Sequence, residues 1–342
     1  MKTGDAESVL VTGASGFIGQ HLVRRLIERG DRVSCLVRAA SLIDELRSTG
    51  AQLIVGDVTD RAGIERALAE SRADVVIHLA GLLKAVRTAD FARVNAGGVE
   101  SVAAACAGHA RQPVLIVVSS LAAAGPCVGD QPRMEGDFPA PVSAYGRSKL
   151  AGELAAARYA GEMEITIVRP PIVFGPGDRG VLELFRPIAH SGLHVVPGRK
   201  ERRVSLIHVD DLAALLLLAV EKGERLRPDG GPGQGIYFVA AGHDPTYAEL
   251  GQAMARALGK KRAMVVHMPG TLVRLVGLCG DSLGRVRQRP GWVNSDKMDE
   301  ALAGSWVCSS SKALAQLGWS PAATLAERLR ETAQWYRQAG WL

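Results

Sequence analysis

Short apolar, β-branched runs alternate with helical periods through the first half of the chain. The runs predict strands at 9–12, 32–37, 52–55, 75–79, 114–118 and 165–168. Apolar spacing between flanking Gly, Asp and Pro residues predicts helices over about 17–29, 61–70, 91–108 and 146–160. This βαβα order predicts an α/β protein in which six parallel strands form one doubly wound sheet with helices on both faces.

The pattern changes after Pro170, where Pro and Gly interrupt 170–178, 197–198 and 229–235. A strand at 204–209, a helix at 211–222 and a further strand at 235–239 are expected to pack again on the first domain. The predicted division is therefore 1–172 plus about 204–240 for the sheet domain, and about 173–203 plus 241–342 for a smaller, discontinuous C-terminal α/β lobe. The spacing of Thr324 and Glu327 is that of a capping box, so a helix is predicted from there through Trp335.

Composition narrows the class of protein. Hydrophobic residues make up 47% of the 342 residues and charged residues 22%, which is typical of a globular chain. The net charge is +6, but the arginines are scattered and no basic tract indicates nucleic-acid binding. The longest apolar run, 212–220, is too short to span a bilayer and predicts a buried helix.

Cysteine usage and the N-terminus both favour the cytoplasm. The five cysteines contain no C-x-x-C pair and no His/Cys ligand cluster, so neither a disulfide framework nor a metal site is predicted. Residues 1–8 are short and polar and lead into a strand, so no signal peptide is expected.

A glycine-rich turn joins the first predicted strand to the first helix. Such a turn lets the backbone approach a pyrophosphate, which the free amides and positive end of the helix then bind. Turns between strands and helices are also glycine-rich for structural reasons alone, but the strand–turn–helix context favours a dinucleotide site of the Rossmann type. The residues predicted to line it are Gly13, Ser15, Gly16, Phe17, Ile18 and Gly19.

The second and third strands end at residues that bear on the choice of cofactor. NAD-selective sites usually have an acidic residue at the end of the second strand, whereas this chain has Arg38. A guanidinium there can bind the 2′-phosphate of NADP(H), so NADP(H) is favoured over NAD(H), although a solvated surface arginine is the alternative. After the third strand, Asp57 and Val58 can contact the adenine, or Asp57 can cap a helix.

Tyr145 and Lys149 stand four residues apart, hence on one face of a helix. A nearby ammonium favours the phenolate, so Tyr145 can exchange a proton with an alcohol or ketone, while Lys149 can also bind the nicotinamide ribose. Ser120 follows the strand at 114–118 and can orient the substrate oxygen. Asn95 can hold a water that relays protons to Lys149. Each of these residues alone has an ordinary structural explanation, as a helix-surface pair, a turn serine or a solvated asparagine.

Together these residues resemble the extended short-chain dehydrogenase/reductase superfamily over roughly the whole chain. The motifs that carry the likeness occur in the family's order: T-G-x-x-G-x-x-G at 12–19, H-x-A-G at 78–81, V-N-x-x-G at 94–98, Y-x-x-x-K at 145–149, R-P-x-x-V-[YF]-G-P-G at 169–177 and I-H-V-x-D-L-A at 207–213. The resemblance implies a catalytic set of Ser120, Tyr145 and Lys149 with Asn95 as the relay. It also implies further cofactor contacts at Leu79, Ala80, Gly81, Pro170, Ile172 and Val173. Aligning Gly125 with the glycine that closes the family's strand-five motif favours Ser120 over Ser119.

Members of the superfamily divide into simple reductases and nucleotide-sugar epimerases or dehydratases. The arginine that binds the pyrophosphate of a nucleotide sugar is replaced here by Val204, though Arg202 or Arg203 can substitute from nearby. Leu121 and Ala122 stand where dehydratases carry an Asp-Glu pair. These differences count against a nucleotide-sugar enzyme. Together with Arg38, the apolar stretch at 264–283 described below favours the 3β-hydroxysteroid dehydrogenase and dihydroflavonol reductase side, and hence an apolar ketone or alcohol. A non-catalytic NADP(H)-sensing protein is the third possibility, although such relatives typically lose the tyrosine or lysine.

An apolar stretch at 264–283 lies in the predicted second lobe. It is interpreted either as ordinary packing of an amphipathic helix, or as a substrate pocket or membrane-surface patch flanked by Arg285, Arg287 and Arg289. Relatives often dimerise through the helices that correspond to 91–108 and 146–160, so a homodimer is expected.

Overall fold

The computed structural model describes residues 6–129 and 131–342, so the expectation about a signal peptide falls mostly on residues outside the described range. Within that range the chain forms eleven strands: β1 (Ser8–Thr12), β2 (Arg32–Val37), β3 (Gln52–Val55), β4 (Val75–His78), β5 (Val114–Val118), β6 (Ile165–Arg169), β7 (Ile172–Phe174), β8 (Leu193–Pro197), β9 (Leu206–His208), β10 (Ile236–Phe238) and β11 (Met264–Met268). All six strands predicted for the sheet are present, within one residue at each end.

The same residues form thirteen α-helices: α1 (Phe17–Arg29), α2 (Asp44–Arg47), α3 (Arg61–Ser71), α4 (Thr88–Phe91), α5 (Gly97–Gly108), α6 (Leu121–Ala124), α7 (Ala144–Ala157), α8 (Leu182–Ser191), α9 (Val209–Lys222), α10 (Tyr247–Ala257), α11 (Gly270–Arg287), α12 (Ser295–Ala303) and α13 (Leu325–Gln338). Two π-helical segments, Ala92–Ala96 and Ala313–Leu317, complete the regular structure. The capping box of Thr324 and Glu327 is present at the start of α13, as predicted.

The central sheet is parallel, with the strand order β10-β6-β5-β4-β1-β2-β3. The doubly wound α/β fold is therefore confirmed. The sheet has seven strands rather than six because β10 joins the edge beside β6, where Ile236 pairs with Ile167. The strand order reverses between β1 and β4, and ligands of open parallel sheets bind at the carboxyl ends of the strands at such a point.

Strand β9 does not join the central sheet. It pairs in parallel with β7, so that Ile172 lies beside Leu206 and Phe174 beside His208. Helix α9 follows and packs on the main sheet through an apolar face that includes Leu212, which is fully buried. The 204–222 segment therefore returns to the first domain mainly through its helix.

The buried apolar residues form separate clusters. Two of them flank the central sheet, and a third gathers residues of α8, α10 and α13 around Phe185 and Tyr336. This arrangement accords with a sheet domain and a smaller lobe, and the boundary between them stays a prediction. Ala313, Leu317 and Trp319 pack with the sheet cluster, although the predicted boundary assigns them to the smaller lobe.

The helix predicted over 91–108 is interrupted by the π-helical segment Ala92–Ala96. Helix α4, Ala92–Ala96 and α5 follow one another without a loop, and Asn95 lies in the π-helical turn. A π-helical turn holds one more residue than an α-helical one, so the side chains after it are rotated about the axis. That rotation buries Asn95 beside α7.

Two further sequence expectations can be compared with the structure. All five cysteines are free thiols. Across the described residues no helix has both the length and the apolar character needed to cross a membrane.

Candidate active site

The turn between β1 and α1 is held close to the backbone that follows β4. Gly13 has φ +72°, and a β-carbon on it would lie 2.6 Å from the Ala80 nitrogen. A β-carbon on Gly19 would collide with the Gly13 carbonyl, while the Gly16 amide donates to that carbonyl at 3.0 Å. Glycine is therefore required by close backbone approach at positions 13 and 19, whereas a β-carbon on Gly16 would lie a tighter-than-usual 3.2 Å from the Gly13 carbonyl oxygen.

Helix α1 begins at this turn without a side-chain cap. Its N-cap residue is Gly16, in extended conformation, and among the described residues no side chain caps the first-turn amides. Ser15, Phe17 and Ile18 are half-buried at the mouth of the turn. Unpartnered amides at the positive end of a helix of thirteen residues form an anion-binding site, so the turn fits the pyrophosphate of a dinucleotide.

The end of β4 is tied to the end of β1 by a buried side-chain hydrogen bond. The Thr12 Oγ1 and His78 Nδ1 atoms are 2.8 Å apart, and the Ala80 amide donates to Thr12 Oγ1 at 3.4 Å. Burial, with a smaller contribution from the Lys149 charge, lowers the pKa of His78 to about 3, so the ring is neutral. This bond fixes the 79–81 backbone, and a β-carbon on Gly81 would lie 3.1 Å from Asn95 Oδ1 and 3.7 Å from Lys149 Nζ.

Arg38 and Asp57 lie at the neighbouring strand ends, as predicted. Arg38 is exposed just after β2, and no carboxylate within the described ranges pairs with it. Asp57 accepts hydrogen bonds from the amide and hydroxyl of Thr59 at 2.9 and 2.8 Å. The hydrogen bond from the Thr59 amide is the largest of the effects that lower the pKa of Asp57, and the Arg38 charge is a smaller one. Asp57 thus closes its own turn, while Asp60 is the N-cap residue of α3.

Ser120 and Tyr145 meet at the carboxyl end of β5. Ser120 caps the short helix α6, accepting from the Ala122 amide at 3.1 Å, and its side chain lies near enough to the Tyr145 hydroxyl to lower the pKa of that phenol. The Tyr145 ring packs edge to face against Phe91, with the ring centroids 6.0 Å apart. The predicted Ser120–Tyr145 juxtaposition is therefore present.

The electrostatics of Tyr145 differ from the sequence expectation. Burial raises the pKa of Tyr145 above its ordinary value, while the neighbouring Ser120 side chain opposes this and the Glu300 charge adds to it. The expected lowering by Lys149 does not prevail, because the cost of removing a phenolate from water is the largest effect on this group. The phenol is accordingly protonated at neutral pH.

Lys149 lies one helical turn after Tyr145 and is buried. Its Nζ donates to the Val118 carbonyl at 2.7 Å, at the end of β5. Burial lowers the pKa of Lys149 to about 8, against a smaller opposing effect of the Glu153 charge. The ammonium is therefore held in place by the sheet and still charged at neutral pH.

Asn95 is fully engaged by protein groups. Its Oδ1 accepts from the Leu82 amide at 2.7 Å, and its Nδ2 donates to the Leu82 carbonyl and to Ser148 Oγ at 3.0 and 2.9 Å. These bonds clamp the backbone after β4 to the helix that carries Lys149. The role as a water-holding relay stays a prediction.

The backbone after β6 lies against the serine. The Pro170 carbonyl accepts from the Leu121 amide at 2.9 Å, which fixes it beside the Ser120 turn. Pro170 is buried, whereas Ile172 and Val173 are half-buried in β7. The segment is thus placed where contact with the nicotinamide is predicted.

A buried ion pair beneath the site was missed at the sequence level. Glu153, one turn beyond Lys149, receives a bidentate contact from Arg169 at 2.9 and 2.5 Å and also accepts from the Ser119 hydroxyl. Glu153 and Arg169 are only 4% and 3% exposed, respectively. The position of Glu153 on the Lys149 face of the helix was the available signal. The pair links α7 to the ends of β5 and β6.

Helix α12 also reaches the site, which nothing in the local sequence indicated. Asp296 accepts from the Ala144 and Tyr145 amides at 2.6 and 3.1 Å, so its carboxylate caps the start of α7. The Lys297 Nζ lies 4.6 Å from the centroid of the Tyr145 ring and 2.7 Å from Glu300. Helix α12 therefore supplies a cation over the face of Tyr145.

One group of possible metal ligands lies outside the catalytic cluster. Ligand atoms of His208, Asp210 and Glu331 lie within 4.8 Å of one another. Asp210 already pairs with His21 at 2.9 Å, and an Arg328 nitrogen is 4.0 Å away. The Asp210 carboxylate therefore already has His21 and Arg328 as partners within the chain.

Comparisons with known proteins agree with this geometry. The model of the NAD dependent epimerase/dehydratase family matches residues 9–234. A ceramide reductase of Caulobacter vibrioides is 33% identical over all of this chain and 98% of its own length, and a 2-alkyl-3-oxoalkanoate reductase of Stenotrophomonas maltophilia is 27% identical over 94% of this chain and 97% of its own length. The solved complex of Thermus thermophilus UDP-glucose 4-epimerase with NAD is 26% identical, with a TM-score of 0.73 over 97% of this chain and 99% of that one. This chain thus belongs to the NAD dependent epimerase/dehydratase family, within the extended short-chain dehydrogenase/reductase superfamily, and is an NAD(P)-dependent enzyme.

Proposed function

We propose that this enzyme uses NADPH to reduce a ketone on a long-chain, apolar lipid, with Tyr145 as the acid. The observation that carries the proposal is the buried Tyr145, whose hydroxyl lies beside the Ser120 side chain at the carboxyl end of β5. Because burial keeps the phenol protonated, it can give its proton to a substrate oxygen.

The cofactor, when bound, supplies a hydride to the carbonyl carbon. As the carbon–oxygen π bond breaks, its electron pair passes to the oxygen, which takes the proton of Tyr145. Ser120 donates a hydrogen bond to the same oxygen, and the Lys149 ammonium stabilises the phenolate that is left. The turn from Gly13 to Gly19 would hold the pyrophosphate, and Lys149 would hold the nicotinamide ribose.

Two observations favour a lipid ketone over a nucleotide sugar. Val204 stands where nucleotide-sugar enzymes carry the arginine that binds the substrate pyrophosphate, and it is fully buried in the apolar core. The two neighbouring guanidinium groups are bound to backbone carbonyls instead. Arg202 donates to Pro197 and Leu302 at 3.0 Å each, and Arg203 donates to Asp244 at 2.9 Å. These contacts hold both guanidinium groups against the protein backbone.

The names of the reductase relatives refine the expected substrate. Ceramide and 2-alkyl-3-oxoalkanoate both denote molecules with long or branched alkyl chains, rather than the steroid- or flavonoid-like ketone that the sequence suggested. The keto form of ceramide is accordingly the first substrate to test, because the ceramide reductase matches along its whole length.

The experiment is oxidation of NADPH by the purified enzyme, followed by absorbance, with four substrates in parallel. These are a keto-ceramide, a 2-alkyl-3-oxoalkanoate, a steroid ketone and UDP-glucose. We expect turnover of a lipid ketone that Tyr145→Phe abolishes. Epimerisation of UDP-glucose in the presence of NAD, with no NADPH consumed by any ketone, would assign the chain to the epimerase branch. NADPH binding without turnover of any of the four would favour a cofactor sensor.

Three accompanying expectations belong to the same proposal. Arg38 selects NADPH over NADH through the 2′-phosphate. Helices α5 and α7 pair with a second copy of the chain to form a homodimer, for which Leu154, 63% exposed on α7, offers an apolar contact. The enzyme works in the cytoplasm, where its cysteines stay reduced.

A further inference from the structure

Helix α11 is attached to the protein by its glycines rather than by its large apolar residues. A β-carbon on Gly277 would lie 2.9 Å from Met298 Cγ and 3.0 Å from Ser295 Cα, and one on Gly280 would collide with the Val293 carbonyl. Gly277 and Gly284 are buried, as is Val273 on the same side. The closely packed face of the helix is therefore the small-residue face.

Apart from Val273, the large apolar side chains of α11 are open to solvent. Residues at i, i+3, i+4, i+11 and i+14 from Leu272 share one side of a helix. Their exposed fractions are 49% for Leu272, 54% for Leu275, 40% for Val276, 48% for Leu283 and 83% for Val286. We call these five residues the α11 stripe. An apolar stripe of this length facing water is unusual for a globular protein and marks a contact surface.

Basic side chains border the α11 stripe. Arg285 and Arg287 end the helix and Arg289 follows it, and all three are exposed. The one carboxylate within α11, Asp281, accepts a hydrogen bond from Ser295 at 2.5 Å and faces the protein. The solvent side of the helix thus combines apolar residues with positive charge that no carboxylate of residues 6–129 and 131–342 pairs with.

We propose that the α11 stripe docks on an anionic phospholipid surface, with Arg285, Arg287 and Arg289 at the level of the lipid headgroups. An amphipathic helix with an apolar face and flanking basic residues lies in the plane of a membrane surface. Burial of its apolar side chains and attraction of its basic residues to anionic lipids both contribute to binding. A second copy packed through the same stripe would bring these arginines no free carboxylate from α11, whose single acidic residue, Asp281, faces the protein, whereas an anionic bilayer neutralises them. Charge complementarity therefore selects the lipid surface.

The docking helix is linked directly to the catalytic cluster. Helix α11 packs on α12 through Gly277 and Ser295, and α12 carries Asp296 at the α7 amides and Lys297 over the Tyr145 ring. A bilayer bound at α11 would therefore lie beside the element that covers the active site. This placement suits a substrate drawn from the lipid phase, although docking itself does not depend on the proposed reaction.

The test is sedimentation of the full-length enzyme with vesicles of phosphatidylcholine alone or mixed with phosphatidylglycerol. We expect binding to the anionic vesicles that weakens as salt is raised from about 0.1 M to about 1 M. Leu275→Asp with Val286→Asp should lower that affinity at least about tenfold. Replacing Arg285, Arg287 and Arg289 by Gln should lower it about fivefold for each arginine removed. The matched control is Phe138→Asp with Leu314→Asp, at exposed apolar positions elsewhere (87% and 58%), and it should bind as the wild type does.

Thermal unfolding and NADPH affinity verify that each variant is folded. Absence of wild-type binding to anionic vesicles, or equal binding by the Leu275→Asp, Val286→Asp variant, would overturn the proposal. So would a concentration-dependent dimer that this variant disperses without any vesicle binding, because a second copy would then cover the stripe. None of these readouts requires turnover, so failure of docking is distinct from failure of the proposed reductase activity.

Discussion

Lys149 offers the sharpest link between the structure and a measurable pH dependence. Burial against the end of β5 lowers the pKa of Lys149 to about 8, so its ammonium is lost at lower pH than that of an ordinary lysine. A group with this pKa is about 0.9 charged at pH 7 and about 0.1 charged at pH 9. If the charged form binds the cofactor ribose, NADPH affinity should fall about ninefold between these pH values. Lys149→Met should bind more weakly at pH 7 and should show no such decline.

The assay is fluorescence titration of NADPH from pH 6 to about 9.5 with the wild type, Lys149→Met and the control Lys222→Met. Lys222 is exposed at the end of α9, so its removal should leave the profile unchanged. The ketone reduction rate, once a substrate is available, should decline through the same midpoint. A Lys149→Met profile with the wild-type midpoint would show that another group titrates, and the assigned role of Lys149 would be wrong.

Three further outcomes are expected. Tyr145→Phe should keep NADPH affinity and lower single-turnover hydride transfer by about 10²–10⁴-fold, and near-normal transfer would mean that another group supplies the proton. Arg38→Ala should weaken NADPH by about 1.5–3 kcal/mol and leave NADH nearly unchanged in parallel titrations, so equal weakening of both cofactors would count against selection by Arg38. Below pH 6.5 the unfolded chain protonates His78, whose pKa of about 3 in the fold keeps it neutral, so stability is lost as pH falls through this window. Urea unfolding should show the wild type losing about 2 kcal/mol more than His78→Asn between pH 7 and pH 5, and parallel losses would contradict the buried neutral ring.

The sheet and the catalytic helix could be predicted because their signals are local. A β-branched run defines a strand, and the four-residue spacing of Tyr145 and Lys149 defines a shared helix face, whatever the rest of the chain does. The carboxyl ends of parallel strands then meet at one edge, which brings Ser120 to the tyrosine without further information. The pKa direction of Tyr145 was not predictable in this way, because it depends on how deeply the finished fold buries the ring.

Contacts between distant segments were beyond the sequence pattern. Asp296 and Lys297 reach Tyr145 from about 150 residues away, and no periodicity encodes such a distance. The helix predicted within the apolar stretch at 264–283 is present as most of α11, but the stretch also contains β11. Which side of α11 faces the protein is decided by the close fit of Gly277 and Gly280 against α12, so ordinary core packing was the wrong interpretation for Leu272 and Leu275.

The buried pair of Glu153 and Arg169 restricts the evolutionary routes open to this site. Losing either partner alone leaves an unpaired charge in the interior. This typically lowers the free energy of unfolding by about 3–5 kcal/mol, a large share of the stability of a domain. Exchanging both for well-packed apolar residues is often neutral or stabilising, yet that state is two substitutions away across a poorly folded intermediate. The salt bridge can therefore persist in descendants because it is hard to leave, even where the chemistry above it has drifted to another substrate.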